Sequence, residues 1–223
     1  MREQWHHIDL ALERLFVAPD PSLEACLRRS AEAGLPEIAV SPNLGKLLTL
    51  MVRISGARRV LEIGTLGGYS TIWLAKGLPA DGHITSLELE ESHAAVAREN
   101  LKAAGFDHLT NIRVGPASET LRAFQSEEAE PYDLIFLDAD KKGYPDYLAA
   151  SLELSRPGTL IIADNIVKGG AVFDETESDP DLDGLRTFLK DVADNPLLDA
   201  AGIQTVGSKG YDGLAIARVV EHE

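Results

Sequence analysis

The sequence predicts an α/β fold: one domain built on a mostly parallel sheet of seven strands, with helices on both faces. Three observations lead there. From residue 58 onward, short apolar runs alternate with stretches of helical periodicity, strand then helix, five times over; that order gives parallel strands joined by crossover helices. One run, Leu134-Ile135-Phe136-Leu137, is apolar without alternation, as in a strand buried on both faces. Two further strand-like segments, 203–207 and 212–220, follow the last helix and close the sheet.

Each element has its own signal. Ile8, Leu12, Leu15 and Phe16 recur at helical spacing, "APDPS" (18–22) breaks the pattern, and Leu23, Leu27 and Ala31 resume it. Two short helices are expected, making residues 1–40 a helical extension of a single domain spanning 1–223. Ser41-Pro42 starts a third helix through Leu44, Leu47, Leu48 and Met51, with proline in its first turn, where no N–H is needed. Strands are then expected at 59–64, 82–89, 110–115, 132–139 and 158–165, and helices at 69–78, 90–105 (closing on Gly105), 117–124, through Tyr147 and Leu152, and around Leu185 and Phe188.

Composition excludes several classes. Acids outnumber bases 36 to 21, a formal charge of −15, which repels a phosphate backbone unless a basic patch offsets it; Arg28-Arg29 and Arg58-Arg59 are only short pairs. Nucleic acid is therefore not the expected partner. Cys26 is the single cysteine, so an internal disulfide and a thiolate zinc cluster are excluded, and its apolar neighbours make it a small core residue. "MREQWHHIDL" has no apolar signal core, and no run approaches the roughly 18 residues of a membrane span. A cytoplasmic protein is expected.

Ligands of such sheets bind beyond the carboxyl ends of the strands. After the first strand, "EIGTLGGYS" (62–70) supplies a glycine turn. Gly64, Gly67 and Gly68 let the backbone approach a ligand without Cβ atoms, and the helix beginning near Tyr69 and Ser70 points free N–H groups at it. Glu88, ending the second strand, suits the two hydroxyls of a ribose. The glycine spacing is not that of a dinucleotide site, so a nicotinamide enzyme loses ground. Glu62 and Glu88 together favour S-adenosylmethionine, which has no phosphate but an ammonium and a carboxylate at one end and a ribose at the other.

After the fourth strand comes "DADKK" (138–142), and after the fifth "ADN" (163–165). Asp138, Asp164 and Asn165 are three oxygen ligands, two of them anionic, suited to a hard divalent cation: Mg²⁺ first, with Ca²⁺ or Mn²⁺ as alternatives. A chelating substrate with adjacent hydroxyls would be acidified by the ion, and Lys141 can take the proton. Lys142 reads as a solvated neighbour. Asp140 reads equally as a cofactor contact or a partner for lysine.

With these motifs in hand, "EIGTLGGYS", "GPAS", "DADK" and "ADN" together resemble the cation-dependent class I O-methyltransferases of caffeoyl-CoA and catechol type, from about Val40 to residue 223. The resemblance implies a Rossmann-like methyltransferase fold with an antiparallel last strand, and a homodimer. It implies cofactor contacts at Val40, Glu62, Gly64, Thr65, Ser70, Glu88 and Ala117, metal ligands at Asp138, Asp164 and Asn165, a catalytic lysine at Lys141, and a contact of Asp138 with substrate through the metal. Catechol enzymes also use a late carboxylate to hold the second hydroxyl; "QTVGSKGYDG" (204–213) offers only Asp212, which reads as part of the last strand. The expected reaction is methyl transfer to a catechol-like vicinal diol. Two alternatives remain: methylation of hydroxyuridine in tRNA, which the charge opposes, and a cofactor-binding module without catalysis, which needs neither Lys141 nor the ligand trio.

Overall fold

Local chemistry sets the helix ends. In the computed structural model, which describes residues 2–126 and 130–221, α1 (Arg2–Phe16) and α2 (Pro21–Glu32) flank the predicted break, and Asp20 accepts hydrogen bonds from the Ser22 and Leu23 N–H groups at the start of α2. The Ser41 hydroxyl likewise caps α3 (Pro42–Ser55) by accepting from the Leu44 N–H. Each such cap contributes about 1 kcal/mol. Gly105 closes α5 (Glu91–Ala104) at φ 80°, a left-handed conformation that glycine adopts without strain.

The strands are β1 (Arg59–Ile63), β2 (His83–Glu88), β3 (Thr110–Val114), β4 (Leu134–Leu137), β5 (Leu160–Asp164), β6 (Leu198–Gly207) and β7 (Gly210–Val219). Between them lie α4 (Tyr69–Ala75), α6 (Ala117–Ser126), α7 (Tyr144–Glu153) and α8 (Pro180–Asp194). The sheet order is β3-β2-β1-β4-β5-β7-β6. β1 to β5 are parallel, and β7 runs antiparallel to both its neighbours, β5 and β6. The order reverses between β1 and β4, which opens a crevice at their carboxyl ends.

Alternation along the strands divides the core. Leu61, Ile63, Ile135, Leu137, Ile161 and Ala163 face the layer that includes Leu121, Leu148 and Phe188 of α6, α7 and α8. Val60, Leu134, Phe136 and Ile162 face the opposite layer, with Cys26, Leu48, Ile72 and Leu101 of α2 to α5. Each fully buried Leu, Ile or Phe contributes about 1.5–3 kcal/mol. Most predicted spans shorten by a residue or more, β5 from 158–165 to Leu160–Asp164, while β6 lengthens from the expected 203–207 to Leu198–Gly207. α4 stops at Ala75, because Gly77 and Leu78 bond back three residues instead of four. β4 begins at Leu134, because the Tyr132 N–H is used on the Leu154 carbonyl at the end of α7. Among the described residues no helix is long and apolar enough to cross a membrane.

Candidate active site

Glu62 is the penultimate residue of β1 and is fully buried. Its carboxylate accepts hydrogen bonds from the hydroxyls of Ser70 (2.6 Å), Thr71 (2.5 Å) and Ser86 (2.6 Å). Burial raises its pKa to about 7, with Asp138 adding to the rise and the three hydroxyls opposing it. Glu88, at the end of β2, accepts from the backbone N–H groups of Thr65 (3.3 Å), Leu66 (2.7 Å) and Glu90 (3.0 Å). It thereby ties the glycine turn to the neighbouring strand end. The Thr65 hydroxyl donates to Ser86 (2.6 Å) and lies 3.1 Å from the Leu87 carbonyl oxygen. Gly64 sits at φ +102°, where a Cβ would collide with the Asp138 carbonyl oxygen. Glycine here allows the ends of β1 and β4 to touch. Gly67 lies under Ser30 of α2, and Gly68, at φ +80°, lies against Ala97 of α5. No side chain caps the start of α4. Val40 is buried just before α3, and Ala117 is the first residue of α6, after β3.

The ends of β4 and β5 are built from acids. Asp138 follows β4 and Asp164 ends β5, side by side in a parallel pair. Asp164 is buried, and its pKa rises to about 7, first through burial and then through Asp138. Lys141, also buried, donates to Asp138 Oδ1 (3.0 Å) and to the Tyr144 hydroxyl (2.8 Å). That hydroxyl reaches both the Leu137 and the Asp164 carbonyl oxygens at 3.0 Å. Tyr144 thus fastens Lys141 to the ends of both strands. Burial raises the Tyr144 pKa far above its ordinary value, and Asp138, Asp164, Asp212 and Asp140 all add to the rise. Four carboxylates therefore surround Tyr144, whose hydroxyl holds the one lysine there.

The residues fit a divalent cation. Among the described residues no three His, Cys, Asp or Glu side chains gather in a metal-holding group; a trio built on Asp138 and Asp164 would take Asn165 as its third member. Its Nδ2 donates to Asp212 Oδ2 (3.3 Å), which leaves its amide oxygen available, and the surplus of negative charge suits a hard cation.

Comparison with known proteins decides the family: an O-methyltransferase family model matches residues 17–219. The chain belongs to the O-methyltransferase family. It is 45% identical over 212 residues to a catechol O-methyltransferase of Niastella koreensis, covering 95% of this chain and 96% of that one. The solved O-methyltransferase of Bacillus cereus, in complex with SAH, superposes with a TM-score of 0.96 at 47% identity, covering 98% of this chain and 100% of that one. An O-methyltransferase of Streptomyces achromogenes involved in tomaymycin synthesis, solved with SAM, gives 0.94 at 42% identity, covering 99% of each. The recognition made from sequence, an S-adenosylmethionine-dependent O-methyltransferase with a Rossmann-like sheet, stands.

Three parts of this O-methyltransferase site escape a reading of the sequence. Tyr144 is one, although its spacing from Lys141 in the same short turn is a signal. Asp212 lies in β7 as expected, but its carboxylate accepts from Val167, Lys168, Gly213 and Asn165. Gly184 of α8 packs so closely on the Lys141 carbonyl that a Cβ would not fit, and Asp181 accepts from the Lys142 N–H (3.2 Å). α8 therefore clamps the turn that carries the lysine. Asp140 accepts from the Tyr147 hydroxyl (2.6 Å), so it pairs with a tyrosine rather than with a lysine. The Lys142 side chain is exposed, as expected.

Proposed function

We propose that the chain transfers a methyl group from S-adenosylmethionine to one hydroxyl of a catechol-like vicinal diol, with a divalent cation held by Asp138, Asp164 and the Asn165 amide oxygen. The observation that carries this reading is Lys141, a buried lysine hydrogen-bonded to Asp138 and Tyr144 where β4 and β5 end. The catechol O-methyltransferase name of the Niastella relative supports the substrate class, and the SAH and SAM complexes of the two solved relatives support the methyl donor.

In this reading Glu88 receives the ribose hydroxyls, while Val40, Gly64, Thr65, Gly68, Ser70 and Ala117 line the rest of the donor site. Glu62 works through its three hydroxyl partners, holding Ser70 at the first turn of α4. Lys141 takes the acceptor's hydroxyl proton, and Asp138 and Tyr144 steady the ammonium that results. The methyl group then passes in line from sulfur to oxygen, the S–C bond breaking as the C–O bond forms. The cation, when bound, supplies positive charge that orients the diol and lowers the cost of an anionic oxygen. Ile8, Leu12, Leu15 and Phe16 lie on α1 and expose much of their surface; this supports a homodimer, for which light scattering should give twice the mass of one chain.

A methylation screen of vicinal diols, with and without Mg²⁺, tests the reading. Turnover should require the metal and stop with EDTA. Turnover indifferent to EDTA would remove the cation, and methyl incorporation into tRNA with none into diols would overturn the substrate class.

A further inference from the structure

A carboxamide has two ends of almost equal size, one an acceptor and one a donor. Shape alone does not select which of them Asn165 offers to a cation; a neighbour has to. That neighbour is Asp212. Asn165 directly follows β5 at φ 62°, and its N–H donates to Asp164 Oδ1 (2.8 Å). β7 lies antiparallel beside β5, with Leu214 opposite Asp164, and so brings Asp212 alongside. The two oxygens of Asp212 do different work. Oδ1 accepts from the N–H groups of Val167 (3.1 Å), Lys168 (2.9 Å) and Gly213 (2.9 Å). Oδ2 accepts from Asn165 Nδ2 (3.3 Å). The first oxygen holds the loop after β5; the second can accept only a donor, so it takes the nitrogen end of Asn165 and leaves the oxygen end for the cation.

We infer that Asp212 is a positioning residue for the cation site, fixing the orientation of the Asn165 carboxamide. The inference rests on the metal reading proposed above. It gives Asp212, the only carboxylate of 204–213, a role other than holding the second hydroxyl of the acceptor, since both of its oxygens are already engaged by N–H donors.

Asp212→Asn separates the two jobs. The oxygen of the substituted carboxamide can still accept the three loop N–H groups, but its NH₂ would face the NH₂ of Asn165. Two donors repel, so Asn165 turns over and offers its NH₂ to the metal. Mn²⁺ binding, read from the EPR signal of the free ion, should weaken by about 10- to 100-fold, the range seen when groups that orient metal ligands are lost. The thermal midpoint of the chelator-treated protein should hold. Adding Asn165→Asp should restore binding, because a carboxylate there can accept from the substituted carboxamide with one oxygen and ligate with the other. Mn²⁺ binding unchanged in D212N would overturn the inference, as would a double variant no better than the single one. A D212N effect confined to the diol KM would also overturn it and assign Asp212 to substrate. If the wild-type chain binds no Mn²⁺, the metal reading itself fails and this inference with it; if the wild type binds and D212N matches it, only the inference fails.

Discussion

At the ends of β1 and β2, Glu62 and Glu88 are wrapped in donors: three hydroxyls around the first and three backbone N–H groups on the second. At the ends of β4 and β5, Lys141 donates to Asp138 with Asp164 nearby, and Asp140 and Asp212 add further negative charge around Tyr144. The crevice therefore has one end whose two acids are each met by three donors and one end where Asp138 and Asp164 are met by one donor each. Buried charge without sufficient donors is costly, and Asp164, buried beside Asp138, carries that cost. The first end is scaffold and donor site together; the second is chemistry held under electrostatic tension.

The sharpest way to break this contrast is at Lys141. Lys141→Met should lower kcat by about 10²- to 10⁴-fold, the usual contribution of a positioned base, with S-adenosylhomocysteine affinity by calorimetry unchanged. A fall in that affinity as large as the fall in rate would mean that the two ends are not separate. Gly64→Ala tests the seam between them. The new Cβ meets the Asp138 carbonyl at φ +102°, and a loss of roughly 2–4 kcal/mol in urea unfolding is expected, with both donor affinity and turnover reduced.

The remaining two tests use the same chemical change at each end and expect opposite signs. Burial and Asp138 push the Asp164 pKa up to about 7 from 3.8. A carboxyl so raised favours folding when protonated, and that contribution is lost as pH climbs through 7. Asp164→Asn removes the cost, and its Oδ1 can still accept the Asn165 N–H. The chelator-treated variant should melt above wild type at pH 8, by roughly 1 kcal/mol or more, while being inactive. Glu62 is also raised, from 4.5 to about 7, chiefly by burial, but its three donors fit a carboxylate. Glu62→Gln should destabilise at pH 5 by about 1 kcal/mol. The gap to wild type should then narrow between pH 4.5 and 7, as the wild type alone gives up its protonation advantage. Midpoints across that range, measured without ligand, decide it; a gap that widens would mean that the charged form is the better satisfied one.

What the residues disclosed in advance follows from how far their partners lie along the chain. Ser41-Pro42 and Gly105 announced helix ends because capping is settled within a few residues. "DADK" and "ADN" announced a site because parallel strands bring their carboxyl ends to one rim, whatever the details of register. Tyr144 and Asp140 were readable as types but not as partners, since only the turn between Asp140 and Tyr144 places one hydroxyl on Lys141 and leaves Asp140 to Tyr147. Asp212 lay furthest out of reach. Its bond to Asn165 spans 47 residues and depends on β7 inserting between β5 and β6, a choice made by sheet pairing and not by any local motif. Gly184 was silent for a similar reason: a glycine inside a helix reveals that something approaches it, not that the visitor is the Lys141 carbonyl.

The place of β7 also has a consequence in time. A chain emerges from its N-terminal side first, and the donor end of the crevice draws on residues 40 to 118. Once these have emerged, Glu62 and Glu88 have all the partners described here. The acceptor end waits: Asp164 and Asn165 gain their neighbouring strand and Asp212 only when residues 210 to 219 arrive and slip between β5 and β6. In a nascent chain the hydrogen-bond partners of Glu62 and Glu88 would thus all be present before Asp212 could reach Asn165.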